Sequence, residues 1–223
     1  MLGKKIHTYA PTLIILFLLI AEVAAKGKGS MFSFSILVGP QFGGINENRD
    51  IDAITSATKA GGKAGVRVEL VVRRYFIIET GLEYLFFNQE LTYRDAPGNY
   101  YGERKIFFQQ LRIPLTYNLH FSENRRHDPL AVLRFGPYLG FLLPEKIEDE
   151  GNVPEYTAKR IDGGIVIAGL LCPFTIDKYA SVGVFLDMHR GLSMFWEDLH
   201  HNGEGGFGAG RTSALSIGLL LKF

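Results

Sequence analysis

The residues able to do chemistry fall in a few places along the 223-residue chain. His120 and Ser122 lie two apart, as do Asp187 and His189, and two residues apart on a strand means one shared face. A Ser hydrolase needs a Ser, an imidazole and an orienting carboxylate converging on one point, with a nucleophile signature around the Ser. Neither pair carries one, so Asp187 and His189 read as interior residues that pair with Arg112 or Arg134. The run Trp196-Glu197-Asp198-Leu199-His200-His201 collects donors that a divalent metal accepts. However, adjacent imidazoles need a curved loop to converge, and no second cluster completes a site. The acidic stretch Glu145 to Glu155 has oxygen donors for Ca²⁺ but no ordered ligand spacing. A solvated loop is the favoured reading of both. Cys172 reads as a small apolar strand residue, and as the single cysteine it excludes an intramolecular disulfide. No catalytic, cofactor or metal site is expected.

A second set of ionisable residues is spread singly through apolar segments: Arg67, Glu69, Arg73, Glu79, Glu83, Arg112, Arg134, Asp162 and Asp187. The elements carrying them alternate with period two, the period of a strand. Ala64, Val66, Val68 and Leu70 oppose Gly65, Arg67 and Glu69, and Ile78, Leu82, Tyr84 and Phe86 oppose Glu79, Gly81 and Glu83. The same pattern predicts eight strands: Phe32 to Ile45, Lys63 to Arg73, Phe76 to Phe87, Lys105 to His120, one around Leu133 to Phe141, Asp162 to Phe174, Tyr179 to Arg190, and Thr212 to Phe223. The sixth is apolar on both faces, with its inward side placed on Asp162, Gly164, Val166 and Ala168. The connections alternate in length. Those at Asn46 to Gly62, Asn88 to Arg104, Pro144 to Lys159 and Gly191 to Arg211 are long, while Arg74-Tyr75, Ser122 to Pro129 and Thr175 to Lys178 are short.

Charge is nearly balanced, 24 Lys plus Arg against 23 Asp plus Glu, and the basic pairs fall at turns, so no nucleic-acid partner is expected. Lys4 and Lys5, an apolar run from Leu13 to Ala21, and small residues at Val23 and Ala25 read as a signal peptide over 1–25, cleaved after Ala25. The apolar run is shorter than the roughly 20 residues a spanning helix needs. Residues 26–223 then form one exported domain.

Alternation alone does not say whether the apolar face meets lipid or fills a water-soluble barrel. The polar face decides it, being rich in Gly with isolated charges of both signs. That composition suits a narrow lumen in which each charge needs a partner. Aromatics gather near strand ends on the apolar face, among them Phe32, Tyr75, Phe76, Phe86, Phe87, Tyr117, Phe121, Phe174, Tyr179 and Phe195, where interfacial girdles sit. The expected architecture is all-β: an eight-stranded antiparallel up-and-down transmembrane β-barrel after a cleaved signal peptide, in the bacterial outer membrane. Its lumen charge network is Arg67, Glu69, Glu79, Glu83, Arg112, Arg134, Asp162 and Asp187.

The segments Ile36-Leu37-Val38-Gly39-Pro40-Gln41-Phe42-Gly43, Glu79-Thr80-Gly81-Leu82-Glu83-Tyr84, Gln110-Leu111-Arg112-Ile113-Pro114-Leu115, Arg134-Phe135-Gly136-Pro137-Tyr138-Leu139-Gly140 and Ser216-Ile217-Gly218-Leu219 together resemble the PorT-like outer-membrane β-barrel family of Bacteroidetes-type bacteria. That resemblance implies a small barrel of the OmpA/OmpX kind. Its founding member takes part in protein secretion across the outer membrane. The expected function is a non-enzymatic structural or interaction role in the envelope, with outer-membrane lipid and envelope or secretion-machinery proteins as partners. Two alternatives stand beside it: a small conduit or lipid-modifying enzyme, and a soluble exported barrel holding an apolar ligand.

Overall fold

The structure, a computed structural model, describes residues 32–46, 54–73, 76–94, 100–121, 131–144, 146–151, 156–158, 160–176, 180–192, 196–198 and 211–223. The proposed signal peptide lies outside them. The strands are β1 (Phe32–Asn46), β2 (Ile54–Arg73), β3 (Phe76–Arg94), β4 (Tyr100–Phe121), β5 (Ala131–Leu142), β6 (Lys146–Gly151), β7 (Tyr156–Ala158), β8 (Ile161–Thr175), β9 (Ser181–Gly191), β10 (Trp196–Asp198) and β11 (Arg211–Lys222).

Nine of these form one antiparallel sheet, and eight of the nine close into a ring. Going round, β1 pairs with β2, β2 with β3, β3 with β4, β4 with β5, β5 with β8, β8 with β9, β9 with β11, and β11 returns to β1. Closure leaves the ring no free edge. The ninth strand, β6, continues beyond β5 and pairs with the far part of β4, Gly102 to Phe107. Strands β7 and β10 make a separate two-stranded ribbon.

The seam between β1 and β11 brings two backbones close together. A Cβ on Gly218 would stand 2.2 Å from the Val38 carbonyl oxygen, and one on Gly39 would stand 2.1 Å from that of Ile217. Only glycine fits there.

The faces sort as a lipid-embedded barrel requires. Val38, Leu115, Ile167, Leu186, Met188, Leu219 and their neighbours point out, exposed, around the whole ring, while Arg67, Glu79, Glu83, Arg112, Arg134 and Asp187 are buried inside it. A water-soluble barrel holding an apolar ligand would have the opposite arrangement, so that reading is set aside. In the sixth stave of the ring, β8, the inward side carries Asp162, Gly164, Val166 and Ala168.

Three of the expected loops, Asn46 to Gly62, Asn88 to Arg104 and Pro144 to Lys159, are in large part strand, the last through β6 and β7. The segment after Asn46 already pairs from Ile54, β3 runs on to Arg94, and β4 begins at Tyr100. The period continues through these extensions, but its polarity inverts. Leu85, Phe87, Leu91, Tyr93, Ile106 and Phe108 point inward and are buried, while Lys59, Asn88, Glu90 and Lys105 lie on the opposite face. Past the hydrocarbon layer the outer face meets water, so the inside-out rule lapses and the ordinary one returns. Phe87 is corrected accordingly: it is no lipid-side girdle residue but lies 1% exposed in the interior, stacked on Phe108.

Candidate functional site

The interior of an eight-stranded barrel is just wide enough for side chains to fill. Here the filling is long and charged, and glycines on facing strands make room for it. Gly81 pairs with Arg67, Gly65 with Glu83, and Gly140 with Arg112. A Cβ on Gly140 would meet Gln110 Nε2 at 2.3 Å, and one on Gly65 would meet Glu83 Cγ at 3.0 Å.

Glu83 is the hub. Its Oε1 accepts from Arg67 Nε at 2.8 Å and from Arg67 Nη2, and its Oε2 accepts from Arg112 Nε at 2.7 Å and Nη2 at 2.5 Å. Lys63 Nζ reaches Asp187 Oδ2 at 2.6 Å and Glu83 Oε2 at 3.3 Å. Asp187 also meets Arg67 Nη2 at 3.2 Å and Arg112 Nη2 at 3.4 Å. Glu79 joins Arg67 Nη1 (3.1 Å) to Arg134 Nη2 (2.9 Å).

Toward the end at which β1 begins and β11 finishes, Lys222 Nζ stands 3.5 Å from both Glu69 oxygens, and His120 Nε2 is 3.5 Å from Glu69 Oε1. Toward the other end, Asp162 Oδ2 accepts from Thr212 Oγ1 at 2.8 Å, Tyr138 OH at 3.0 Å and Gln110 Nε2 at 3.0 Å. The lumen groups named here thus set five cations, Lys63, Arg67, Arg112, Arg134 and Lys222, against five carboxylates, Glu69, Glu79, Glu83, Asp162 and Asp187. Balance of this kind is what desolvated charge demands, since an unpaired buried ion costs several kcal/mol, on the order of 3–5.

Apolar packing closes what the charges leave. Phe87 and Phe108 stack at 4.5 Å within a cluster that includes Leu85, Leu91, Tyr93, Ile106 and Leu142 at the extended end. Leu37, Val132, Leu170, Phe185 and Leu220 form a second cluster on the inner faces of β1, β5, β8, β9 and β11. The two kinds of filling touch where Lys63 Nζ lies 5.6 Å from the Phe185 ring centroid.

All eight residues singled out from the sequence are buried in this interior. Arg67, Glu79, Glu83, Arg112, Arg134 and Asp187 are linked by direct ion pairs. Glu69 pairs with Lys222, and the contacts described for Asp162 are to neutral donors. Lys63 and Lys222 stand outside the charge network expected from the sequence, although each shares the inward parity of its strand.

Asp187 does meet Arg112, whereas His189 does not take part. Neither of its ring nitrogens has a hydrogen-bond partner, and its ring sits edge-on to Phe87 (6.0 Å) and Tyr138 (5.7 Å). The expected pairing of His189 with an arginine is replaced by aromatic packing. Ser122, His200 and His201 lie outside the described residues. Glu197 and Asp198 fall in β10. Among the described residues no group of three or more His, Cys, Asp or Glu side chains is placed to hold a metal.

Ring closure, apolar exterior and charged interior define the class: this is an integral β-barrel of the bacterial outer membrane. No known family model matches the chain, and no curated protein does. Among solved structures it is similar to the outer membrane protein OprG from Pseudomonas aeruginosa, at 10% identity and a TM-score of 0.47 over 86% of this chain and 95% of that one. It is also similar to the translocator domain of the autotransporter NalP from Neisseria meningitidis, at 10% identity and 0.38 over 98% of each chain. A third is Ail, the attachment invasion locus protein of Yersinia pestis, at 8% identity and 0.35 over 86% of this chain and 98% of that one. The barrel assignment rests on the register and faces described above.

Proposed function

We propose that the protein is a closed, non-enzymatic barrel that serves the envelope as a structural or interaction protein, with its long-connection end directed outward and its lumen conducting nothing. The observation that carries this reading is the lumen's contents. A charge cluster joined by direct ion pairs and two apolar clusters fill it, and the hub Glu83 has no exposed surface. A pore would need hydrated charges, yet these are desolvated and matched to one another. The extension of β2, β3 and β4 past the rest of the ring, buttressed by β6, supplies a stiff wall beyond the membrane on which contacts can be made. Assistance to protein secretion is the form of interaction that the PorT resemblance favours.

The test is conductance. The purified chain in a planar bilayer is expected to give no discrete current steps, whereas steady single-channel openings would overturn the closed-barrel reading. A photo-crosslinker at Thr92, on the extended wall, is expected to yield an envelope-protein adduct in cells, while one at lipid-facing Ile167 yields none.

A further inference from the structure

On the outer face of the extended wall a groove of about 220 Å³ lies between β2, β3, β4 and β6. Lys59, Lys105 and Lys146 line it from three different strands, joined by Asn88, Phe107 and Glu148. Directly toward the membrane from it the lipid-side face carries aromatic rings in contact: Phe107 against Phe86 (6.2 Å), and Phe86 against Tyr84 (6.4 Å). Aromatics in that position mark the interfacial level, so the groove opens at headgroup height.

Each lysine has a carboxylate neighbour: Lys59 with Glu90, Lys105 with Glu103 at 3.0 Å, and Lys146 with Glu148 at 2.7 Å. The three lysines and Glu148 are exposed, while Glu90 and Glu103 are half-buried, so each ammonium stays open to a further anion and its present pairing is weak. Hydrogen bonding to Glu103 raises the Lys105 ammonium above its ordinary value, and bonding to Glu148 does the same for Lys146, so both stay charged.

We infer that this groove holds the phosphorylated headgroup of an outer-leaflet lipid, with Lys59, Lys105 and Lys146 on the phosphate and the acyl chains descending over Phe107, Phe86 and Tyr84. The site rests on the outward orientation of this end. Lipid chemistry is favoured over a soluble anion because the apolar rings continue the groove straight into the hydrocarbon layer, and a free phosphate would have no use for them.

The experiment is native mass spectrometry of the detergent-solubilised full chain with added diphosphoryl lipid A, and with the same lipid after removal of its phosphates. Retention of the phosphorylated lipid is expected, with the dephosphorylated form held at least roughly tenfold less, given about a factor of five per interfacial lysine. The triple substitution Lys59→Gln, Lys105→Gln, Lys146→Gln is expected to lose retention while keeping the gel-mobility shift on boiling that marks a folded barrel, and the triple change to Arg is expected to restore it. Equal retention of both lipids, or an unchanged triple-Gln variant, overturns the site. Displacement of the lipid by an equal concentration of inorganic phosphate overturns its assignment to a lipid. Labelling of these lysines in whole cells by a membrane-impermeant amine reagent reads orientation separately. If labelling succeeds while retention is insensitive to the lysines, the site is wrong and the orientation stands.

Discussion

Replacing Glu83 by Gln removes one negative charge from a cluster in which Lys63, Arg67 and Arg112 all lean on it. The amide keeps the volume and one acceptor, so what is lost is charge rather than packing. Asp187, at 2.6 Å from Lys63, 3.2 Å from Arg67 and 3.4 Å from Arg112, is then the only nearby carboxylate common to those three cations among the described residues. Breaking a buried pair by removing one partner costs about 3–5 kcal/mol. With a urea dependence of about 2 kcal/mol per M, the unfolding midpoint in lipid vesicles should fall by roughly 1.5 to 2.5 M. The assay is the fraction of heat-modifiable, fast-migrating band against urea, compared with Leu82→Val one residue away on the lipid side. If Glu83→Gln and Leu82→Val shift the midpoint by the same small amount, the charged interior does not hold the barrel. Adding Arg112→Met to Glu83→Gln should recover part of the loss, since a buried pair replaced whole by apolar groups is close to neutral.

Ile167→Arg, midway along the outer face of β8, should cost about 2–4 kcal/mol in folding into vesicles, while Ile161→Arg at the strand's end should cost about 0–1; equal costs would show that the outer face does not meet hydrocarbon. Gly218→Val should hinder ring closure, because its side chain would enter the Val38 carbonyl, and the expected penalty is about 1–3 kcal/mol read by the same urea assay. His189→Phe should leave the midpoint unchanged or raise it, since both ring nitrogens lack partners and Phe87 and Tyr138 already present ring edges or faces to it; a clear fall in the midpoint would reveal a polar partner for the imidazole.

What could be read from the sequence was what depends on parity. Gly65-Arg67-Glu69 and Glu79-Gly81-Glu83 announce an inward face because charges and glycines share one register against Val and Leu on the other, and the eight-stave ring follows from repeating that contrast. Two things were hidden. Where the wall leaves the membrane, around Phe86 and Asn88, the outer face turns polar, so Gln89 to Arg94 and Tyr100 to Arg104 look like loop although Leu91 and Tyr93 keep the period. The pairing of charges was hidden as well, because Lys63 and Asp187 are 124 residues apart and meet only through the stagger of eight strands. His189 shows the limit from the other side. Its spacing from Asp187 is that of a shared face, yet the packing round it is aromatic.

The apolar face of this ring meets lipid, and its charged face is sealed within. The most direct measurement is outer-membrane fractionation of the expressed protein followed by gel mobility with and without boiling. A fast-migrating band in the outer-membrane fraction that shifts on boiling is the predicted result. Soluble protein in the periplasmic fraction, with no shift, would contradict it.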